Sequence, residues 1–555
     1  MKSFLLCAGL LALNTSLSYA DNFLLNYEKP YNDTLKKAPA NWFNLDMTGD
    51  KVRGVSTERA YQTILKGRPS KPVVVAVIDS GVDIEHEDLK EVLWKNEKEI
   101  PNNGIDDDKN GYVDDIYGWN FIGGKDGRNV NHDSYEMTRL YVKYKKMFEG
   151  KSSSSIAESE KKQYEEYLGI KDKFEKKVQT LRQQLSMYSL FGENYKKAKR
   201  LMLAYLDTDE LDVETLKSVD SEDQRIKASA QMLAEVTANG LTEEKLQEYL
   251  DYFKDQMEYG YNVNFDPRNI VGDDYNNPNE RYYGNNDVIG KGGDAKHGTH
   301  VAGIIAAKRG NGIGMDGVAD NVRIMSIRAV PNGDERDKDI ANAIRYAVDN
   351  GAKIINMSFG KSYSPDKKAV DEAMQYAASK NVLLIHAAGN DAKNLDNETN
   401  FPTKMTLDGK KINSWLEIGA ASWGDANNFV GDFSNYGKKS VDLFAPGVDI
   451  YATTPNQKYE SLSGTSMAAP VTSGVAAIVM SYFPELTAAQ VREVLEKSVV
   501  KFPKEKIKKP AQGEEEEGKN PEMVEFSELS ATGGLVNVYE AVKLAEVMAK
   551  KIKKG

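Results

Sequence analysis

The run Val73-Val74-Val75-Ala76-Val77-Ile78 constrains the fold of this chain more than any other feature. It offers no polar side to water and is almost entirely β-branched, so it suits a strand buried on both faces inside a parallel sheet. Comparable runs follow at 322–327, 353–357, 382–385 and 416–420. Helical patterns lie between several of them, for example at 339–350 and 366–380. Strands alternating with helices predict an α/β fold with a doubly wound, mostly parallel sheet.

Residues 134–290 break this alternation. Tyr167, Ile170, Phe174, Val178, Leu181, Leu185 and Tyr188 recur at steps of three and four amid Lys, Glu and Gln. That spacing predicts a long amphipathic helix with a narrow apolar seam. Leu246, Tyr249, Leu250, Phe253 and Met257 mark a second helix, opening at Thr242-Glu243-Glu244 with an N-cap and an acidic first turn. The segment reads as an α-helical subdomain inserted into the α/β domain, with 260–292 as its irregular return. It contains no metal-ligand or nucleophile spacing. The α/β domain is expected in two parts, 71–133 and 291–547. Residues 21–70, with Pro30, Pro39 and Asn41-Trp42-Phe43, read as a linker and strap, and 548–555 as a Lys-rich tail. The acidic run 514–517 reads as a solvated loop.

The 555 residues are 40% hydrophobic and 28% charged, an ordinary globular balance. A net charge of −11 and the lack of a basic stripe argue against a nucleic-acid partner. Residues 1–20 read as a secretory signal: Lys2, an apolar run at 4–13, then Ser18-Tyr19-Ala20 as a cleavage site. No later stretch reaches the ~20 apolar residues of a spanning helix. The expectation is export to the periplasm or cell envelope, or secretion, with no integral membrane span after cleavage. Cys7, the only cysteine, falls in the signal, so the mature chain would have no disulfide. A large domain buries enough core without one.

Three segments carry chemistry together. The first strand runs into Asp79-Ser80-Gly81, where ligand sites of open α/β sheets form. Lys296-His297-Gly298-Thr299-His300 opens one apolar helix, and Ser463-Gly464-Thr465-Ser466-Met467 opens another. A serine at a helix N-terminus has free backbone N–H groups beside it, favourable to an oxyanion. Taken singly, Asp-Ser-Gly reads as a turn, Gly-Thr-Ser as a cap, and Gly389-Asn390 as a turn at a strand end. His300 and His386 read as packed core histidines, and His86 and His132 as loop residues. Gly310-Asn311-Gly312-Ile313-Gly314 follows a helix where a nucleotide loop should follow a strand.

These blocks, with Asn356-Met357-Ser358-Phe359-Gly360, Ala387-Ala388-Gly389-Asn390 and Phe444-Ala445-Pro446-Gly447, resemble those of the subtilisin-like serine proteases. The resemblance implies a subtilisin-like fold and a serine endopeptidase. It implies Ser466 as nucleophile, His297 as general base and acid, Asp79 as the orienter of the imidazole, and Asn390 as an oxyanion donor. It places Ser358, Phe359, Gly360, Ala388 and Gly389 in the walls of the first specificity pocket. Gly333, Asp334 and Glu335 would form an edge strand pairing with an extended protein or peptide substrate.

The charged run at 334–339 departs from the small and aromatic residues usual there. It is either a solvated loop or a further subsite favouring basic substrate residues. Asp106, Asp108, Asn110, Tyr112 and Asp114 alternate with glycine at a turn, the opening of a structural calcium loop or an Asx-rich turn closed on itself. Tyr117 stands where an EF-hand needs its glutamate. The helical insertion, anchored between the expected catalytic Asp and His, is open to use as lid, substrate selector, folding aid or docking arm for a partner. The segment before the first strand is too short for the usual folded inhibitory propeptide. The rival to an endopeptidase is a peptide-binding or scaffolding protein with weak catalysis on the same frame. An esterase is disfavoured, because Ser466 lacks the Gly-x-Ser-x-Gly elbow.

Overall fold

Buried, β-branched strands assemble around the first one. The computed structural model describes residues 37–290, 295–425, 427–502, 505–511 and 521–553. The expected signal with Cys7, the start of the linker and the acidic run 514–517 lie outside the described residues. In chain order the strands begin with β1 (Val73–Asp79), β2 (Gly118–Asn120), β3 (Val322–Arg328), β4 (Ile354–Met357), β5 (Leu383–Ala387), β6 (Trp415–Ala421) and β7 (Leu443–Pro446). A hairpin follows, β8 (Ile450–Thr454) and β9 (Lys458–Leu462), and then β10 (Val500–Lys501), β11 (Lys506–Lys508), β12 (Met523–Glu525) and β13 (Gly534–Leu535).

Nine strands form one sheet in the order β10-β13-β7-β6-β5-β4-β1-β3-β2. All its pairings are parallel except the short β10–β13 contact. The chain runs from β1 to β2 and β3 on one side, then crosses to β4 on the other. Asp79 therefore ends the strand at which the order reverses, where a doubly wound sheet opens a crevice. Helices Lys296–Ala306, Thr465–Tyr482 and Val538–Ile552 pack in the apolar cluster of one face, and Asp337–Asp349 and Lys367–Ser379 in that of the other.

The strap expected before β1 is more deeply built in than a linker. Trp42 and Phe43 are fully buried in the first cluster. The Trp42 indole donates to the Asp449 carbonyl at 3.1 Å, and Val55 accepts from the Val538 N–H at 2.8 Å.

Between residues 136 and 255 the chain is mostly helical and forms an arm. It comprises Glu136–Phe148, the 46-residue Lys161–Leu206, Gln224–Ala238 and Glu243–Asp255. At 1.5 Å per residue the long helix spans about 70 Å. Thr242 caps the last of these helices, its hydroxyl accepting from the Lys245 N–H. Two separate apolar clusters hold the arm. One near the root contains Tyr141, Phe148, Tyr167 and Phe174, and one at the far end contains Met202, Leu233 and Leu246. The helix Gln224–Ala238 escaped the sequence reading; its buried face is Ala230, Leu233, Ala234 and Val236.

Candidate active site

Asp79 turns its carboxylate toward the helix that begins at Lys296. Its Oδ1 accepts from the Ser80 N–H at 2.8 Å and from His297 Nδ1 at 2.7 Å, across 218 positions of sequence. The Asp79 side chain is 2% exposed and that of His297 40%. A carboxylate accepts, so Nδ1 carries the proton and Nε2 of the neutral ring keeps its lone pair. Gly298 makes the approach feasible: a Cβ there would lie 2.2 Å from the Gly81 carbonyl oxygen and 3.1 Å from Asp79 Cβ.

Ser466 lies in the first turn of Thr465–Tyr482. Pro470, four residues on, has no N–H to offer the Ser466 carbonyl. The Ser358 hydroxyl takes that role, donating to it at 2.9 Å. The Ser466 hydroxyl donates in return to the Ser358 carbonyl at 3.2 Å. Asn356 continues the stitching, donating to Ser358 Oγ and accepting from Ser473 Oγ, both at 2.9 Å. The end of β4 and the start of this helix are thereby one unit.

The Asn390 amide is oriented by its neighbour. Its Oδ1 accepts from the Thr465 N–H and the Thr465 hydroxyl, each at 2.9 Å, and backbone N–H groups only donate. Nδ2 is left to face the Gly464 backbone. A Cβ placed on Gly464 would lie 3.4 Å from Asn390 Nδ2 and 3.6 Å from the Ser466 nitrogen. Two donors thus border one spot beside the nucleophile candidate. Thr465, which also accepts from the Gly389 N–H at 3.0 Å, is a positioning residue the sequence reading missed. Its only signal was its place next to Ser466.

The family model described as "Subtilase family" matches residues 70–520. The chain belongs to the subtilase family. It is 38% identical over 203 residues to Subtilisin DY of Bacillus licheniformis, covering 36% of this chain and 68% of that one. Thermitase of Thermoactinomyces vulgaris is 36% identical over 207 residues, 37% of this chain and 68% of its own. For the Thermophilic serine proteinase of Bacillus sp. (strain AK1) the identity is 39% over 186 residues, 33% of this chain; the match spans only 42% of that relative.

In this subtilase the two expected pocket walls face each other across Asn400. Its Nδ2 donates to the carbonyls of Ala387 and Ala388 at 3.3 and 3.1 Å. A Cβ on Gly360 would lie 2.6 Å from the same amide, and one on Gly389 3.2 Å from it. Phe359 packs edge-on to His386, which is fully buried with Nδ1 2.9 Å from Glu417 Oε1. His300 is likewise buried, and desolvation lowers it to about pH 4. Both are core histidines. His86 sits in a turn but is fully buried, its Nε2 3.2 Å from the Lys458 carbonyl.

The charged run at 334–339 is neither a solvated loop nor an open subsite. Glu335, Arg336, Asp337, Lys338 and Asp339 are all buried. Arg336 pairs with Asp133 at 2.7 Å, Lys338 with Asp273 at 2.6 Å, and Arg268 with Asp339 at 2.6 Å. These charges are the socket that receives the arm. Glu136 donates its N–H to Asp334 Oδ2 at 2.8 Å, and Arg139 donates to the Asp334 carbonyl at 3.2 Å. Gly333 meets the arm's base so closely that a Cβ would lie 2.1 Å from the Asp133 carbonyl oxygen. A pattern read along one chain could not reveal this, because every partner is remote in sequence.

The expected metal loop divides. Asp106 and Asp108 converge with Glu99, one oxygen of each lying within 4.8 Å of the others. Asp114 turns away, its carboxylate accepting the N–H groups of Asn103 and Gly104 at 3.1 and 2.9 Å. Asn110 Oδ1 accepts from the Tyr112 N–H at 2.8 Å, and the Tyr112 ring packs on Trp119 and Tyr346. Glu99 was missed because it stands outside the alternating spacing. The carboxylates of Asp106 and Asp108 also accept the Asn110 N–H, so the loop has the Asx-turn character of the alternative reading as well.

Proposed function

We propose that this subtilase is an exported serine endopeptidase acting through an acyl-enzyme on Ser466. The observation that carries the reading is the 2.7 Å bond from His297 Nδ1 to a buried Asp79. It fixes the tautomer whose Nε2 can take a proton, and it stabilises the imidazolium that results. The Ser466 proton now lies on the Ser358 carbonyl, so reaction requires rotation of the hydroxyl toward His297. Attack on the scissile carbonyl would then place the negative oxygen near Asn390 Nδ2 and the Ser466 N–H. His297 would return the proton to the leaving amine. Among the described residues no helix is long and apolar enough to cross a membrane. A similar protein of Bacillus subtilis is named "Cell wall-associated protease", which supports an extracytoplasmic setting.

A fluorophosphonate probe tests the reading: it labels the wild-type protein, and Ser466→Ala abolishes the label. Peptide binding by a wild type that takes no label would instead favour the scaffolding alternative.

Glu99, Asp106 and Asp108 bring hard carboxylate oxygens close enough together to share one calcium ion, and Glu99 comes from outside the loop. Bound calcium would cross-link the loop to the segment before it. The melting temperature is expected to fall on adding chelator and to lose that response in Asp108→Asn. A chelator response that persists in that variant would move the ion elsewhere.

A further inference from the structure

Asp79 is held at its backbone by the neighbouring strand and at its side chain by the turn that follows. Its carbonyl accepts the N–H groups of Ala329 and Val330 at 3.0 and 3.2 Å, and its Oδ1 accepts that of Ser80 at 2.8 Å. Arg328 stands opposite Asp79 in the parallel register of β1 and β3. Side chains alternate along a strand, so Asp79 shares a sheet face with Val75 and Val77, and Arg328 shares the same face with Ile324. From there the guanidinium reaches the turn, where Nε donates to the Ser80 carbonyl at 2.9 Å. Among the described residues this is the only hydrogen bond that carbonyl accepts. The other donors of Arg328 go to the segment that leads into the arm. Nη2 donates to the Val130 carbonyl at 2.8 Å and to Asn131 Oδ1 at 3.2 Å, and Nη1 to Asn120 Oδ1 at 3.4 Å. The segment returning from the arm closes over the same place. A Cβ on Gly290 would lie 2.3 Å from Arg328 Nε, and one on Gly81 2.8 Å from the Val288 carbonyl oxygen.

Arg328 is 2% exposed, and among the described residues none of its hydrogen bonds goes to a carboxylate. Burying a cation that is not directly paired is costly. Desolvation, offset in part by the charge of Asp287, lowers the guanidinium to about 10. We propose that Arg328 is a positioning residue: it pins the Ser80 carbonyl, and so keeps the Ser80 N–H on Asp79 Oδ1 and that oxygen in line with His297 Nδ1. The inference rests on the endopeptidase reading and deepens it. Without Arg328 the Ser80 carbonyl loses its donor, the turn is free to rotate about Ser80, and the carboxylate moves with it. The entry and return segments of the arm both meet at this guanidinium, so the insertion is tied to the orientation of Asp79.

The test is a double-mutant cycle read as the rate of fluorophosphonate labelling, a single event at Ser466 that needs no turnover. Arg328→Met should slow labelling about a hundredfold in the wild-type background but less than about threefold in Asp79→Asn, where the orientation it secures no longer matters. Equal losses in the two backgrounds would show that Arg328 acts on the fold or on Ser466, and would overturn the proposal. So would an Arg328→Met rate within about threefold of wild type. Arg328→Lys, which keeps a charged donor, should recover to within about tenfold of wild type. With a fluorogenic peptide the loss in Arg328→Met should fall on kcat and leave KM within about threefold; a loss carried by KM would assign Arg328 to substrate binding instead. Should Arg328→Met not fold, the cycle is run with Arg328→Lys, whose smaller loss should likewise vanish in Asp79→Asn. A wild type that takes no label removes the endopeptidase reading and this inference together; a labelled wild type whose two losses multiply removes the inference alone.

Discussion

The root and the far end of the helical arm are built on opposite principles. At the root, Arg139, Glu136, Lys361, Arg268, Arg336 and Lys338 sit in a buried lattice of opposite charges reaching into the catalytic body. At the far end, charged pairs such as Arg225–Asp223 and Lys197–Glu193 stand largely in solvent, and packing of Met202, Leu233 and Leu246 holds the helices. Exposed pairs contribute little, whereas a buried charge left without its partner is costly. The root is therefore fixed to the cleft in one geometry. The far end is held by contacts within the arm alone, and its loss should leave the cleft intact.

The largest effect expected from this contrast is at Arg268, which pairs with Asp339 and Asp273, both 0% exposed. Arg268→Met leaves two buried carboxylates short of a partner and should cost about 3–5 kcal/mol in denaturant unfolding. A loss below 1 kcal/mol would show that the lattice tolerates rearrangement.

Next comes Leu233→Ala at the far end, where a 2% exposed side chain is truncated. The cost should be roughly 2–4 kcal/mol, read as faster hydrogen exchange confined to 195–250. Fluorophosphonate labelling of Ser466 should not change. Altered labelling would show that the far end speaks to the cleft.

A smaller effect should follow pH. Burial, reinforced by the charges of Asp334 and Asp337 and opposed by that of Lys361, raises the Glu335 carboxyl from 4.5 to about 7. Between those values the folded protein keeps a proton that the unfolded chain has released. This group's stabilising contribution is present below pH 4.5 and is lost as pH rises through 7. The slope is at most about 1.4 kcal/mol per pH unit, and Glu335→Gln should flatten it. An unchanged slope would assign the proton elsewhere.

The smallest effect belongs to Lys199→Ala. Its pair with Glu243 is 39% and 34% exposed, and the loss should be under about 1 kcal/mol in the melting curve. A larger cost would give the far end a polar anchor after all.

Residues 73–78 alone announced a doubly buried parallel strand, and the blocks around Asp79, His297, Ser466 and Asn390 announced a subtilase. Those signals are local: a strand's burial follows from its own side chains, and a serine at a helix start carries its N–H groups with it. The socket was illegible by contrast. Asp334 to Asp339 read as either a solvated loop or a further subsite, because nothing near them in sequence discloses Arg139, Arg268 or Lys361 as partners. Glu99 stayed hidden for the same reason, as did the turning of Asp114 away from the loop it was expected to serve.

The sequence by itself therefore determined the strand–helix alternation, the family and the candidate residues for chemistry, since each is written in periodicity or in short motifs. Only the tertiary structure decided where the charges went, how Thr465 turns the Asn390 amide, and that Lys361 is held by Glu136, Asp337 and the Glu335 carbonyl. Electrostatic pairing acts across space between residues with no fixed separation along the chain, so its outcome appears only once the backbone has folded.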